Sequence, residues 1–431
     1  MTKSDLKRAA IVSLKIANQG KLDKLRRLRE IGKAITTDYI NLLWNVPNLP
    51  TRPDSKHYGL IGDNRGMSAR FCQTMCEKAF GLIHANRTRI KNVKFAQEWV
   101  IKNAFRAFCN PTDNNTVKHI DKLGKINRTI RKLEEAKPVL HNFSLDLTAK
   151  CCSITVDSSK SIKNWITVKS LLPKQKGLMM KNLPKDDIRR DLHIPFTRTK
   201  IFNKWMKAAE KVPTAFQFVE LFEENSAKKK DVMKLVFSVK KPLLKKKGTI
   251  EGCDIGITTV WTLSNEKEAV PSNSKDQTLY SILVKMTKKK NATVNFRQSR
   301  THRTNFCNWN LNKLDLTGIK ELHIENIRGM KKGAGVRKHW SYFEILNKIK
   351  RRCEEEGIRI VEVNPRFTSQ RCYECGWVHK PNRNNKNFKC TKCGHSTDAD
   401  LNAAKNIRLL DDKTSFGKGD SLVGFYSKLL Q

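Results

Sequence analysis

A multidomain α+β protein is what the sequence predicts, with an α/β domain towards the C-terminus interrupted by a small cysteine-rich module, and three observations carry the reading. Two Cys-x-x-Cys pairs, Cys372/Cys375 and Cys390/Cys393, flank fourteen residues (376–389). After residue 248 the pattern runs hairpin, strand, helix, strand and, beyond the cysteines, a further helix. Lys and Arg number 85 against 41 Asp and Glu, a net charge of +44 over 431 residues.

The charge bounds the class of partner. At 39% apolar residues the chain is globular, so an excess this large must be neutralised by a polyanion, and a long nucleic-acid contact fits best. A membrane surface is the weaker alternative, because no run of apolar residues reaches spanning length. The N-terminus MTKSDLKRAAIVSLKIANQG is too charged for a signal peptide. Eight of the twelve cysteines lie scattered outside the two pairs, among them the adjacent Cys151 and Cys152, which reads as a reducing compartment and no disulfide framework. Cys72 and Cys76, near Cys109, are more readily a helix-packed core pair than a second metal site.

Residues 9–18 (AAIVSLKIAN) read as a strand. Leu22, Leu25, Leu28, Ile31, Ile35, Tyr39 and Leu42 share one face of a helix over 21–45. Further helices are expected at 67–90, 93–108 and 117–136, the last heavily basic and closed by Pro138. FSLDLTAKCCSITVDSS, NWITVKSLL and VMKLVFSVKK then alternate or run β-branched, with helix-like pieces over 199–224. The expectation is a small β barrel completed by the first strand, with the helical block nested inside it and PLLKKKG (242–248) as a linker.

From 251 onward EGCDIGITTVWTLSN reads as a hairpin with Asp254 in its first arm, GIKELHIENIRGM as a buried strand ending in Glu325, residues 340–358 as a helix and RIVEVNP (359–365) as a strand. The segment 265–310 looks irregular. After the second cysteine pair Asp400 opens the helix DLNAAKNI. This order is the layout of a ribonuclease-H-like domain. Four thiolates in two tight turns make a closed tetrahedral zinc site, Cys372, Cys375, Cys390 and Cys393. Asp254, Glu325 and Asp400 each sit where an element meets a turn. A carboxylate in an apolar strand needs a cation or hydrogen-bond donors, and three converging acids suit Mg²⁺ or Mn²⁺. Two such ions activate water against a phosphodiester. Asp398 rivals Asp400, which leads directly into the helix. Trp377 and Phe388 either pack the cysteine-rich module or stack on bases.

The motifs DIG (254–256), IEN (324–326), NPRFTSQRCYECG (364–376), CTKCG (390–394) and DLNAAKNI (400–407) together resemble the C-terminal half of TnpB proteins and of the related miniature type V CRISPR nucleases. The resemblance covers about 254–407. It implies a RuvC nuclease domain (248–365 and 397–431), an inserted zinc-bearing module that binds target nucleic acid (366–396), a wedge-like β domain (1–20 and 138–247) and a helical recognition domain (21–137). The family's acidic triad falls on Asp254, Glu325 and Asp400, with Mg²⁺ (or Mn²⁺) as cofactor, and its zinc ligands on the four cysteines. Cys253 stands where such strands carry an aliphatic residue, and the long Arg-rich helical connection before Glu325 looks reduced.

The expected function is RNA-guided cleavage of DNA, in which pairing with a guide RNA reads most of the target and the protein reads a short flanking motif. The partners are a guide RNA and double- and single-stranded target DNA, with no membrane. The chain acts as a monomer or as a homodimer around one guide, in a prokaryotic cytoplasm, with a transposon or a CRISPR locus as its origin. The alternatives are an unguided RuvC-like resolvase or transposase, and a binding-only zinc-containing repressor.

Overall fold

The computed structural model describes residues 5–61, 66–109, 116–156, 164–169, 171–172, 184, 186–209, 213–223, 228–291, 293–327 and 335–417. The segment 328–334 after the IEN strand and the tail 418–431, both assigned to the nuclease domain from sequence, lie outside the described residues. The chain divides into two compact units, residues 5–222 with 229–240, and residues 241–431 together with 1–4 and 223–228. No helix among the described residues is long and apolar enough to cross a membrane.

The first unit carries β1 (Leu6–Ser13), α1 (Gln19–Leu43), the single turn α2 (Ser55–Tyr58), α3 (Ala69–Phe108), α4 (Thr116–Glu135), β2 (Leu145–Thr148), β3 (Cys152–Val156), β4 (Asn164–Val168), β5 (Leu192–Pro195), α5 (Lys200–Ala208), β6 (Ala215–Phe222) and β7 (Lys229–Val239). β1 alternates buried and exposed residues as a half-buried strand should, and pairs antiparallel with the distant β7 from Leu6↔Val239 to Ser13↔Val232. The sheet runs β1-β7-β6-β2, and a second one runs β3-β4-β5. The expected barrel thus appears as two antiparallel sheets. Between the named strands the links are isolated bridges such as Ser13↔Thr197 and Ala209↔Val239, and Phe202 and Trp205 of α5 fill the shared core.

Where two helices were expected over 67–108 there is one helix, α3, of 40 residues. The polar break at Lys91-Asn92 contains neither proline nor glycine, so nothing stops the ladder. Cys72 and Cys76 are buried with Phe71, Met75 and Phe80 in the core. Burial pushes the Cys76 thiol up to about 12, which fits a packing residue and not a ligand.

The second unit holds β8 (Thr249–Asp254), β9 (Thr262–Leu263), α6 (Leu279–Thr287), α7 (Val294–Asn312), β10 (Ile319–Glu325), α8 (Tyr342–Glu356), β11 (Arg359–Val363), the short strands β12 (Arg383–Asn384), β13 (Asn387–Lys389) and β14 (Ser396–Asp398), and α9 (Ala399–Arg408). The main sheet runs β11-β10-β8-β9, with β10 parallel to both β8 and β11 and β9 antiparallel to β8. Parallel neighbours need long crossovers, supplied by α6 and α7 between β9 and β10 and by α8 between β10 and β11. The segment 265–310 is therefore irregular only in its first part, up to Thr278, and helical over most of the rest. α6 is capped by a reciprocal Thr278–Ser281 box. α7 shows no apolar stripe in the sequence because its buried face is Ser299, Arg303, Phe306, Cys307, Asn310 and Leu311. Cys253 is fully buried in this core beside Ile324 and Cys353, so a small thiol serves where an aliphatic residue was expected.

Candidate acidic centre and cysteine cluster

The acids are positioned by strand register and by one close backbone approach. Cys253 of β8 lies opposite Ile324 of β10, so Asp254 and Glu325 follow together at the carboxyl ends of adjacent parallel strands, where open α/β sheets build their sites. Two residues before Asp254, on the same face of β8, is Gly252. A Cβ there would come within 2.1 Å of the Ala404 carbonyl oxygen and 2.6 Å of the Arg408 amide nitrogen. The backbone of α9 therefore rests directly on β8. Asp400 lies one turn before Ala404, roughly 6 Å along the helix, and Asp254 lies two residues past Gly252, about 6.6 Å along the strand. The two steps match, so the docking brings Asp400 to Asp254 across 146 residues of sequence.

Asp398 is taken up by the start of the helix. It is the N-cap of α9, and its Oδ1 accepts from the amides of Asp400 (2.8 Å) and Leu401 (3.0 Å). Asp400 is only 3% exposed. Its Oδ1 accepts from Arg383 Nη2 at 2.8 Å, while its Oδ2 is buried without a hydrogen-bond partner among the described residues. Glu325 Oε1 accepts from the Thr368 hydroxyl at 2.5 Å, and the Glu325 carbonyl accepts from the Tyr342 hydroxyl at 2.6 Å. Burial, then the negative charges of Glu325 and Asp400, hold the Asp254 carboxyl well above the ordinary carboxylate range. Burial also raises Glu325, against the pull of the Thr368 hydrogen bond and the Arg383 charge. A buried cluster of acids with an orphaned carboxylate oxygen fits a divalent cation with oxygen ligands.

The four cysteines gather as expected. Their Sγ atoms lie within 4.8 Å of one another, with Cys372 to Cys393 at 3.7 Å and Cys375 to Cys390 at 3.5 Å. Among the described residues this is the one group of three or more potential ligands closed to that spacing; the three carboxylates are not drawn so near. Each pair is a knuckle closed by a glycine in the left-handed region, Gly376 and Gly394, both at φ 77°. Although burial alone would raise it, the amides of Cys393 and Lys392 bring the Cys390 thiol down to about 7, whereas burial raises Cys372 and Cys375. Phe388 is completely buried and Trp377 partly buried in the small core of this module, so Phe388 packs the module and is closed to base stacking.

The module and the acidic centre form one continuous piece. β14 runs straight into α9. Asn402 and Asn406, one turn apart and fully buried, clamp the chain entering the module. Asn402 donates to the Arg371 carbonyl and accepts from the Tyr373 amide. Asn406 donates to the Thr368 and Arg371 carbonyls and accepts from the Arg371 guanidinium at 2.7 Å. The turn after β12 sends Lys386 Nζ to Thr259 Oγ1 at 2.7 Å. Arg383, Lys386, Thr368 and the two asparagines were not singled out from sequence. Only the spacing of Asn402 and Asn406 in DLNAAKN held a signal, two polar residues on one helical face.

Arg383 and Lys386 also line a cleft of about 840 Å³ with Ile257, Thr258, Tyr280, Arg337 and Lys380. Its lining residues include four cations and no carboxylate.

Residues 342–407 match the family model described as Cas12f1-like, TNB domain. The chain is 33% identical over 117 residues to the CRISPR-associated endodeoxyribonuclease Cas12f1 of Sulfoacidibacillus thermotolerans, 27% of either chain. It is 34% identical over 74 residues to a TnpB-like protein of Aquifex aeolicus, 16% of this chain and 24% of that one. The chain thus spans about a quarter of the length of the curated relatives it matches. In fold it is similar to CasPhi-2 (Cas12j) bound to crRNA, with a TM-score of 0.51 and 10% identity over 96% of this chain and 100% of that one.

Two outcomes test this geometry. Because the folded pKa of Asp254 is raised, its contribution favours folding below the ordinary carboxylate pKa, about 4, and is lost as pH rises through the raised value. Asp254→Asn is therefore expected to raise the melting temperature in chelator at pH 7 and to abolish further stabilisation by Mg²⁺, as read by calorimetry. Gly252→Ala is expected to destabilise by roughly 1–3 kcal/mol in denaturant titration, since α9 must lift off β8.

Proposed function

We propose that this chain, which shares homologous segments with Cas12f1 and TnpB-like proteins, is an RNA-guided DNA endonuclease. The observation that carries the reading is the meeting of Asp254, Glu325 and Asp400 from two strand ends and a helix, beside a cysteine quartet on the same continuous segment. Asp254, Glu325 and Asp400 would hold Mg²⁺ or Mn²⁺, and the four cysteines Zn²⁺. Bound there, the divalent ions supply activation of a water and stabilisation of the leaving oxygen of a phosphodiester.

The chain's own groups prepare the site. Thr368 and Tyr342 fix Glu325 by side chain and backbone, and the α9 contact at Gly252 sets Asp400 against Asp254. Arg383 places a cation beside Asp400, where it can receive a substrate phosphate. The closed cysteine knuckles hold β12 and its arginine to the centre, so zinc contributes to the site through folding and not through chemistry.

The second unit corresponds to a RuvC nuclease domain with its inserted target-nucleic-acid module. The first corresponds to a wedge-like β domain around a helical recognition domain. The net charge of +44 suits a guide RNA and a target held together. Guide pairing plus a short flanking motif would select the target, in a prokaryotic cytoplasm.

The test is purification of the chain from cells that also express the DNA flanking its gene, followed by sequencing of the bound RNA and cleavage of a matching target. A discrete RNA that directs cutting supports the reading. Cleavage of branched DNA without RNA turns it to an unguided resolvase or transposase, and binding without cleavage to a repressor. Asp254→Ala is expected to lower cleavage at least a thousand-fold while RNA and DNA binding stay within a few-fold. Cys390→Ser is expected to release the metal and unfold residues 366–396, seen as lost amide protection. In the unaltered chain zinc retention should weaken progressively as pH drops, because protons compete with the metal for the thiolates, measured by competition with a chromogenic chelator.

A further inference from the structure

The cleft beside the acidic centre has one lining residue that neither the fold nor the acidic chemistry uses. α6 is anchored by Leu279, Ile282, Leu283 and Met286, each at most 1% exposed, and its start is fixed by the Thr278–Ser281 box. Tyr280 points the other way. It is 49% exposed, and among the described residues its ring and hydroxyl engage no partner. An aromatic ring held outward on an otherwise core-anchored helix, at the wall of a cleft, is a flat apolar surface without a mate.

The rest of the lining says what covers it. Arg337, Lys380, Arg383 and Lys386 give the cleft four positive charges, with no acid among the lining residues. Arg383 and Lys386 tie it to the acidic centre through Asp400 and Thr259. A ligand that answers both features is a polyanion carrying flat rings, which is a nucleic-acid strand with its bases free. A duplex keeps its bases stacked on one another and presents phosphate to such a wall, leaving the ring bare.

We propose that the cleft takes a single nucleic-acid strand on its way to the acidic centre and that Tyr280 is a substrate-binding residue whose ring stacks on one of its bases. This inference rests on the nuclease reading and adds to it one named contact at Tyr280, indifferent to base identity, since every base offers a ring face.

The test uses the full chain carrying Asp254→Ala, so that nothing is cut, and two labelled twelve-residue oligomers, oligo-dT and its abasic counterpart of equal charge. Tyr280→Ala is expected to weaken oligo-dT binding about ten-fold and to leave the abasic strand unaffected. Tyr280→Phe should keep the unaltered affinity for both. Arg337→Ala should weaken the two strands alike, because it meets phosphate. An oligomer bearing 5-iodouracil should photocross-link to the peptide containing Tyr280. Equal loss on both oligomers, loss on neither, or cross-links that avoid this peptide would overturn the assignment. Cleavage by the chain with Asp254 intact is read in parallel with Mg²⁺ and guide. Base-dependent binding at Tyr280 with no cleavage on any substrate keeps the contact and removes the nuclease reading; cleavage without base dependence does the reverse.

Discussion

The close seating of α9 on β8 is the constraint on which the candidate site depends. A helix and a strand normally stay apart by the thickness of their side chains. Here Gly252 has none to offer, and the Ala404 carbonyl and Arg408 amide occupy the space where a Cβ would stand. Ala403 and Ala404, both buried, keep the helix side of the contact thin. The result is two carboxylates, Asp254 and Asp400, brought within mutual electrostatic influence, with Glu325 joining from the next strand. Without a cation such a cluster opposes folding, because burial removes water from charges that repel one another. The arrangement persists because the large hydrophobic core beneath it, from Cys253 to Ile358, over-determines the backbone. Strain of this kind, offset elsewhere in the fold, is expected at functional sites.

The cysteine module is joined to this centre by hydrogen bonds as well as by sequence. Asn402 and Asn406 meet the backbone of 368–373 with their whole amide groups, in a place where both are completely buried. Thr368 in the same stretch donates to Glu325. The segment entering the module thus touches two acid-bearing elements at once, β10 and α9, and the segment leaving it becomes α9 itself. Folding of the cysteine knuckles and geometry of the acids are therefore coupled through Arg383, Thr368 and the start of α9. Charge is distributed to match. The second unit buries its acids at the strand ends and lines the adjoining cleft with cations, which draw anions towards the acids.

Some of this was legible in the sequence, because some chemistry is written in local spacing. Two Cys-x-x-Cys-Gly knuckles are short enough that turn geometry alone fixes the thiolates, and the quartet closed as spaced. Asp254 and Glu325 announced themselves as carboxylates ending apolar strands, and the amphipathic α1 by its periodic leucines. Local spacing also misled. α7 hides its core face behind Arg303 and Asn310, so its helical period could not be seen, and α3 runs through a polar break that lacks any residue able to stop it. Asp398 and Asp400 stand two residues apart with the same chemistry. Only the cap, which turns Asp398 towards the amides of Asp400 and Leu401, separates their roles.

The sequence by itself determined the four cysteines that gather, the acids at the strand ends, the strands and helix that frame them and the large positive charge, since each depends on residue type, local period or total charge. Tertiary structure alone decided that Asp400 faces Asp254 while Asp398 caps the helix, that Arg383 and Thr368 touch the acids, that Gly252 admits α9, and that Tyr280 shares a cleft with Arg383. Apart from the cap, those facts rest on contacts between residues 17 to 156 positions apart, and no local pattern encodes the distance between two side chains that meet only when separate elements pack.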